Sequence, residues 1–169
     1  MKNQKGFSLI ELLLVVVIIG IIAAIAVPNL LSSRRTANEA STISALRTIH
    51  SAEVTYQLTA GAGNFGTLAN LNSNGLVHDD ISNAISAATA KSGYFFTLNA
   101  TPVSGGNNSV FDCDAQPVTH SSVSNIAATG SRRFFILEVG VVYANTTNAV
   151  ITVASSTDRT ISGASPIVN

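Results

Sequence analysis

The sequence predicts an α+β fold in which a long N-terminal α-helix packs on a C-terminal antiparallel β-sheet. Two stretches indicate the helix. Residues 12–27 are all apolar or Gly, and residues 43–56 repeat apolar side chains at helical spacing. From Gly93 onwards the apolar positions instead recur at every second residue, which is typical of strands. A chain of 169 residues fits one such domain together with a membrane anchor.

The first half of the predicted helix is apolar enough to lie in a membrane. The run over residues 12–27 spans about 24 Å, slightly less than a bilayer core, and the flanking apolar side chains extend it. Lys2 and Lys5 precede the run, so the positive-inside rule places residues 1–6 in the cytoplasm and the rest of the chain outside. We therefore expect residues 7–31 to be a transmembrane segment.

Two residues weaken this segment as a helix. Pro28 cannot donate a hydrogen bond to the carbonyl of Ala24, so a kink is expected near Pro28. Gly20 lowers helix propensity earlier in the run. A proline is also tolerated in many membrane helices without any special role, so both interpretations remain open.

Beyond the membrane segment, residues 32–60 are expected to continue the helix as an amphipathic half. Its apolar positions form one stripe, which consists of Ile43, Leu46, Ile49, Ala52 and Tyr56. Its charged side chains are expected on the other faces, namely Arg34, Arg35, Glu39, Arg47 and Glu53. The stretch Gly61-Ala62-Gly63 is expected to end the helix.

Residues 61–92 are predicted to be a loop with a short helix. One helical turn is expected over residues 67–72, closed by Asn74-Gly75. Asp79 is expected to be the N-cap of a further helix, whose apolar face would consist of Ile81, Ala84, Ile85 and Ala88. Gly93 is expected to stop it.

Residues 93–154 are predicted to form the antiparallel sheet, followed by a mobile tail over residues 155–169. Alternation and the content of aromatic and β-branched residues place strands at residues 94–99, 110–120, 132–139, 141–143 and 148–154. Pro117 should interrupt the second of these strands, and Gly140 should make a tight turn.

Glu11 is the residue that a plain membrane helix does not explain. A charged side chain at the centre of a membrane helix costs roughly 2.5–3.5 kcal/mol on insertion scales. A single-pass anchor tolerates Glu11 without using it. An ordinary signal peptide cleaved after Ala24-Ile25-Ala26 would discard it.

Cleavage after Gly6 would give Glu11 a use. Phe7 would then carry a new α-amino group with a pKa of about 7.7–8.0 in the absence of perturbation. Glu11 lies one helical turn later, where its negative charge is favourable near the helix N-terminus. It could also meet the amine of a neighbouring copy if such helices packed with a stagger, and a carboxylate in an apolar surrounding needs such a partner.

The stretch Lys5-Gly6-Phe7-Ser8-Leu9-Ile10-Glu11-Leu12, with the apolar run after it, resembles the class III signal of type IV prepilins and the related pseudopilins. The resemblance is close over residues 1 to about 56. It implies that a prepilin peptidase removes the leader, residues 1–6, by cleavage between Gly6 and Phe7. It also implies N-methylation of Phe7 and an assembly role for Glu11. The stretch from Gly20 to Pro28 resembles a region that loses helix when subunits pack into a fibre.

For function, the resemblance implies a structural subunit of a type IV pilus and not an enzyme. The implied partners are identical or related pilin subunits in a helical polymer, a prepilin peptidase/methyltransferase and an inner-membrane assembly platform. The protein would lie in the bacterial inner membrane before assembly and afterwards in a surface pilus. Two alternatives remain open. One is a pseudopilin of a type II secretion system in a periplasmic pseudopilus, and the other is a membrane-anchored binding protein with the same N-terminus.

The head is also similar to a bacterial pilin subfamily, on the stretches Ser92-Gly93-Tyr94-Phe95-Phe96-Thr97 and Gly130-Ser131-Arg132-Arg133-Phe134-Phe135. Many pilins fix their C-terminal loop with a disulfide. Cys113 is the single cysteine of this chain, so the loop must be held by hydrogen bonds, packing or an ion. A small buried apolar role is expected for Cys113 itself.

No catalytic, metal or cofactor site is expected in the head. His50, His78 and His120 are scattered over different predicted elements, and neither H-E-x-x-H nor G-x-S-x-G occurs. Asp112, Asp114 and the more distant Asp158 are weak candidates for calcium, which needs several oxygen ligands.

Nucleic acid is disfavoured as a partner by the charge of the chain. The nine Lys and Arg fall to seven once Lys2 and Lys5 are removed, against nine Asp and Glu. A chain with this balance lacks the excess of cations that a salt-dependent grip on phosphates requires.

Overall fold

A computed structural model describes residues 6–121, 127–153 and 159–167. The chain divides into two compact units, Met1–Arg34 and Arg35–Asn169. Lys2 and Lys5 of the predicted leader, and Asp158 of the C-terminal stretch, lie outside the described residues.

Helix α1 extends over Leu9–Leu58, which confirms the predicted long helix. It runs without a break through Pro28, and a bend at that residue stays a prediction. In the first unit its apolar side chains are exposed all round the helix. In the second unit one face is buried, with Ala45, Leu46, Ile49 and Ala52 in the core. The amphipathic pattern of the sequence therefore predicts correctly where α1 starts to pack on its own chain.

Two short helices follow α1. The helical turn predicted over residues 67–72 is helix α2, Leu68–Ser73. Its N-cap is Thr67, which forms a capping box with Asn70. Helix α3 covers only Asp79–Ser82, and its N-cap is His78, so the predicted N-cap at Asp79 and the longer helix were wrong. The helix stops early because the carbonyl of Ala84 accepts a hydrogen bond of 2.7 Å from the amide of Phe96, in the sheet. A separate 3₁₀ turn covers Ala87–Thr89.

In the part of the chain that the structure describes, seven strands follow, all paired antiparallel. Their bounds are β1 Tyr94–Thr101, β2 Val110–Pro117, β3 Arg133–Leu137, β4 Val142–Asn145, β5 Thr152–Val153, β6 Ile161–Ser162 and β7 Ser165–Pro166. The main sheet has the order β1-β2-β3-β4-β7, and β5 pairs with β6 separately. Register places Ala115 opposite both Phe96 and Phe134, so a small residue lies between two rings on the helix-facing side.

The turn between β3 and β4 lies against helix α1. Gly140 has φ +77° and donates to the carbonyl of Leu137 at 2.9 Å, which confirms the predicted tight turn. A Cβ at this position would lie 3.1 Å from the ring of His50. Gly140 thus meets two requirements at once, a left-handed backbone and close approach to the helix.

The C-terminal stretch is more regular than predicted. The described part, residues 159–167, contains β6 and β7, so the antiparallel pairing continues beyond residue 154. The predicted strand over 148–154 is correspondingly reduced to Thr152–Val153. The amide of Ile167 donates to the carbonyl of Val142 at 2.8 Å, which extends the β4–β7 pairing. These bonds to β4 explain why polar residues at this end form strands.

The core has two layers on the two faces of β3. The larger cluster joins α1 to the helix-facing side of the sheet and includes Phe134, Ile136 and Cys113, which is fully buried as predicted. The smaller cluster contains Phe135, Leu137 and Ile151, with Ile161 packed against it. All five residues of β3 are therefore buried, because the C-terminal stretch covers the face that α1 does not.

Candidate processing and assembly site

The peptide bond between Gly6 and Phe7 lies just before helix α1. Both residues are exposed and non-helical, and the Phe7 side chain has 83% of its surface exposed. A Cβ built on Gly6 would meet no atom within 4 Å. An exposed bond outside regular structure is the kind that a peptidase reaches without unfolding its substrate.

Glu11 caps the start of α1. The backbone amide of Ser8 donates to Glu11 Oε2 at 3.0 Å. Because the helix begins at Leu9, Ser8 is the N-cap and Glu11 the third helical residue, which is one half of a capping box. The carboxylate therefore satisfies one amide at the helix N-terminus and lies at the positive end of the helix dipole.

The contact between Ser8 and Glu11 was not predicted from the sequence. Its signal was the S-x-x-E spacing of Ser8 and Glu11, immediately before an apolar run. The contact gives Glu11 a role within a single chain, which is separate from the assembly role that the resemblance implies.

The helix after Glu11 carries no other charge until Arg34. Its large apolar side chains expose about half of their surface or more, from Leu12 at 60% to Leu30 at 69%. Among the described residues, α1 is the one helix that is long and apolar enough to cross a membrane. A helix that is apolar on every side needs lipid or other helices around it.

Gly20 and Pro28 lie further along the same helix. At 1.5 Å per residue they are about 14 Å and 26 Å beyond Glu11 along the axis. A Cβ at Gly20 would meet no atom within 4 Å, so nothing in the described chain requires a glycine there. The structure thus brings Gly6, Phe7 and Glu11 together at the helix start and leaves Gly20 and Pro28 apart from them.

Two carboxylates on the second half of α1 are buried, although the sequence predicted both on polar faces. Glu39 Oε1 accepts from the amide of Ser131 at 2.7 Å and from its hydroxyl at 2.6 Å. Arg132 Nε and Nη2 donate to Glu39 Oε2 at 2.9 Å and 2.8 Å. Burial by itself raises the pKa of Glu39, but the hydrogen bonds from Ser131 and Arg132 outweigh it and hold that pKa below its usual value.

Glu53 is fully buried and has no such cation. Its Oε2 accepts from the amide of Gly66 at 2.9 Å, and its Oε1 has no hydrogen-bond partner among the described residues. Burial raises the pKa of Glu53 to about 7, although the Gly66 bond opposes this.

The C-terminal stretch is held by an arginine, which answers the question that the single cysteine raises. Arg159 Nε and Nη2 donate to the two carboxylate oxygens of Glu138 at 2.8 Å and 2.7 Å. Arg159 Nη2 also donates to the carbonyl of Phe111 at 2.7 Å. Further along, the side-chain amide of Asn145 donates to the carbonyl of Gly163. Hydrogen bonds and an ion pair thus act where a disulfide is impossible.

The aspartates that were considered as calcium ligands, Asp112 and Asp114, lie beside arginines. Arg133 Nε and Nη2 donate to Asp114 at 2.7 Å and 2.6 Å in a buried pair, and Arg159 lies 3.9 Å from Asp112. Within residues 6–121, 127–153 and 159–167, no group of three His, Cys, Asp or Glu side chains could hold a metal ion. The remaining candidate, Asp158, lies outside this part of the chain.

The three histidines lie on separate elements. His50 on α1 lies with its Nε2 3.0 Å from the carbonyl oxygen of Glu138, and His78 caps α3. His120 is buried beside Gly130, with which it forms an isolated bridge. Their positions give each a structural environment of its own and do not bring them together.

Comparison with known proteins bears on the N-terminal site. The prokaryotic N-terminal methylation motif matches residues 1–27. The chain is 59% identical over 39 residues to the type IV wide pilus major component PilA4 of Thermus thermophilus, which covers 23% of this chain and 30% of that protein. It is 36% identical over 58 residues to the type II secretion system core protein G of Klebsiella pneumoniae, covering 34% and 41%. The core protein G of Vibrio cholerae is 38% identical over 58 residues, covering 34% and 40%. No solved structure gives a significant match.

The matched stretches span less than half of these relatives, between 30% and 41% of their length. Together with the methylation motif they show that the N-terminal part of this chain is similar to type IV pilins and pseudopilins, which confirms the resemblance. Both branches are represented, since one relative is a pilus component and the others belong to secretion systems.

Proposed function

We propose that this chain is a structural subunit of a filament of the type IV pilus kind. A prepilin peptidase would remove residues 1–6, and Phe7 would become the methylated N-terminus. The apolar first half of α1 would hold the subunit in the inner membrane and then enter a bundle of like helices. The residues that act are Gly6 and Phe7 in processing and Glu11 in register, with Gly20 and Pro28 as positions where the helix can loosen.

One observation carries the proposal, namely the single carboxylate at the N-terminal end of an apolar helix that is exposed on every side. In the uncut chain Glu11 accepts from the Ser8 amide. Cleavage before Phe7 would add a positive amine one residue before Ser8, so a carboxylate and a cation would lie at the same helix end.

In a staggered bundle, that carboxylate can meet the Phe7 amine of a neighbour. A subunit that docks one step out of register would leave Glu11 without a cation in an apolar surrounding, which is strongly unfavourable. Transfer of the helix itself from lipid to a bundle changes little, because one apolar surrounding replaces another. Register would therefore depend on Glu11, and cohesion on the apolar side chains.

A pilus and a secretion pseudopilus are both supported by the relatives, and neither is favoured. In the first case the filament would extend from the cell surface, and in the second it would remain in the periplasm. A membrane-anchored binding protein that shares only the N-terminus is the remaining alternative, since 66% or more of this chain lies outside each of these matches.

The proposal is tested by the intact mass and N-terminal residue of the protein purified from its own membranes. A chain that starts at N-methyl-Phe7 is the expected result. A chain that starts at Val27 would mean an ordinary signal peptide and would contradict the role given to Glu11. A chain that keeps Met1 in a host with an active prepilin peptidase would indicate a plain anchor.

A second experiment separates the three candidates for the assembled state. Sheared surface fractions and electron microscopy would contain fibres of this chain if it forms a pilus. A processed chain absent from sheared fractions, but cross-linked into oligomers in the periplasm, would indicate a pseudopilus. A chain that stays monomeric in detergent and forms no cross-linked oligomers would indicate the anchored binding protein.

A further inference from the structure

Glu53 occupies the place where the chain turns back after helix α1. Its side chain has no exposed surface, and Glu53 Oε2 accepts a hydrogen bond from the Gly66 amide at 2.9 Å. Gly66 directly precedes Thr67, the N-cap of α2. The carboxyl group therefore holds the end of the loop over residues 61–66 against the helix.

The loop itself is a tight cover over Tyr56. Its first bond runs from the Gly61 amide to the Tyr56 carbonyl at 2.7 Å. Added Cβ atoms at Gly61 and Gly66 would lie 2.9 Å and 2.8 Å from the Tyr56 ring. The backbone has positive φ at Ala62 and Gly63, and most of the loop is partly or fully exposed. Gly61 and Gly66 thus lie against the ring of Tyr56, three residues after Glu53 on α1.

Among the described residues, no cation would neutralise the charge of an ionised Glu53. The loop residues carry no titratable side chain. From the sheet, the Cys113 thiol interacts with Glu53. Burial raises the pKa of this thiol, and the charges of Asp114, Asp112 and Glu53 raise it further, so the thiol stays neutral. The other charges of β2 are engaged elsewhere, since Asp114 pairs with Arg133 and Asp112 accepts from Asn99.

Among the described residues, burial and the Gly66 bond are what shift the pKa of Glu53, and no cation forms a salt bridge with it. His50, one turn earlier, lies with its Nε2 3.0 Å from the carbonyl oxygen of Glu138. Arg132, which neutralises the other buried carboxylate, pairs with Glu39. Two carboxylates on one helix thus have opposite environments.

We propose that Glu53 makes the docking of the 61–66 loop on helix α1 depend on pH: the loop is held while the carboxyl group is protonated, and it opens more often once the group ionises. Opening would admit water to Oε1, which has no hydrogen-bond partner among the described residues. The movement is local, because α2 and the sheet have their own packing.

The direction follows from linkage. Burial raises the pKa of Glu53 from 4.5 to about 7, so the closed loop keeps its proton over a range in which an opened loop has lost it. The stability of the closed loop therefore falls as pH rises through this range. With those two values, the opening equilibrium should increase roughly 30-fold between pH 5.5 and pH 8.5.

The test is amide hydrogen exchange of the full-length chain in detergent micelles, followed by mass spectrometry on peptides that cover residues 59–70. Rates at pH 5.5, 7 and 8.5 are corrected for the intrinsic pH dependence of exchange. Glu53→Gln, which has the same shape and cannot ionise, is the test variant. Glu39→Gln on the same helix is the matched control, because it alters a buried carboxylate far from the loop.

As pH rises, we expect the protection of the loop amides from exchange to decrease in the unmodified chain and in Glu39→Gln. In Glu53→Gln this protection should not change with pH. Parallel profiles for the unmodified chain and Glu53→Gln would overturn the proposal. A profile of the unmodified chain that is flat from pH 5.5 to 8.5 would also overturn it, whether or not the Glu53→Gln variant folds.

Discussion

The two halves of helix α1 differ in how far their apolar side chains and carboxylates are buried. From Leu9 to Arg34 the large apolar side chains are exposed or, at Leu31, half-buried, and the carboxylate of Glu11 accepts a hydrogen bond from the amide of Ser8, the N-cap. From Arg35 to Leu58 the apolar face is covered, and two carboxylates are buried by partners from distant parts of the chain. The second half is complete within one molecule, whereas the first half needs surroundings that a single chain does not supply. Along this helix, buried side chains therefore identify contacts within the chain, and exposed apolar side chains identify a surface that other molecules must cover.

The largest expected effect comes from removal of the carboxylate in the bare half. Glu11→Val should insert and be cut after Gly6, because neither step needs a charge in the helix, yet filament assembly should fall by about 100-fold. That factor corresponds to roughly 3 kcal/mol, the low end for a buried ion pair that loses one partner. Sheared filament yield measures assembly, and the intact mass of the membrane-bound chain checks processing.

Glu11→Gln serves as a control for this prediction, since it keeps a hydrogen-bond acceptor for the Ser8 amide and loses only the charge. Assembly should fail in both variants. Normal filaments from Glu11→Gln would show that capping of the helix matters and that the charge does not.

The next largest effect is expected in the covered half. Glu39→Ala removes the acceptor for the Ser131 amide and hydroxyl and for Arg132, and it should lower the free energy of unfolding by about 3 kcal/mol. Thermal unfolding of the full-length chain in micelles measures it. Membrane insertion should be unaffected, and a loss of insertion would contradict the division of the helix into two independent halves.

The same site should make the head acid-sensitive. The pKa of Glu39 is lower in the folded chain than its ordinary value of 4.5, so its contribution is present above that value and is lost as pH falls through the folded pKa. Thermal midpoints of the unmodified chain and Glu39→Gln should therefore converge at acid pH. A constant difference between them down to pH 3 would contradict this assignment.

A smaller effect should follow from loss of the arginine that holds the C-terminal stretch. Arg159→Gln removes the ion pair with Glu138 and weakens the bond to the Phe111 carbonyl, at a cost of about 1–2 kcal/mol. Limited proteolysis should then cut the variant near residue 159 more readily than the unmodified chain, and it should leave the rest of the head intact. Unchanged proteolysis would mean that β6 and β7 hold the stretch without the arginine.

The smallest effect on stability is expected at Pro28. Pro28→Ala restores an amide that can donate to the Ala24 carbonyl, so the helix should exchange its amides more slowly over residues 24–30. Membrane insertion should stay the same. Gly20→Ala is the companion variant, since the space at Gly20 admits a methyl group. Equal amide exchange in the unmodified chain, Pro28→Ala and Gly20→Ala would show that neither residue weakens the helix.

Local patterns were enough to predict most of the fold. The apolar run, the spacing of Leu46 and Ile49, and the alternation around Phe96 depend on residues within a few positions of one another. The resemblance of residues 1 to about 56 to type IV prepilins and pseudopilins is equally local, and the methylation motif and the pilin and pseudopilin relatives match within the N-terminal part of the chain. The roles of Gly6, Phe7 and Glu11 remain predictions.

The errors arose where the deciding partner is distant in sequence. Glu39 is buried because Ser131 and Arg132, more than 90 residues later, supply donors, and no pattern around Glu39 announces them. The predicted helix at Asp79 ends early because the Ala84 carbonyl bonds to a strand. The stretch after residue 158 pairs with β4, although its own composition is typical of a loop. Tertiary hydrogen bonds outweighed local propensity in each case.

The covered outer face of β3 has a consequence for the order in which the head can form. Phe135 and Leu137 are buried partly by Ile151 and Ile161, so this layer is complete only after residues later than β4 have been synthesised. A chain that lacks Ile151 and Ile161 would therefore leave Phe135 and Leu137 as an uncovered apolar strand face, which is a point of aggregation.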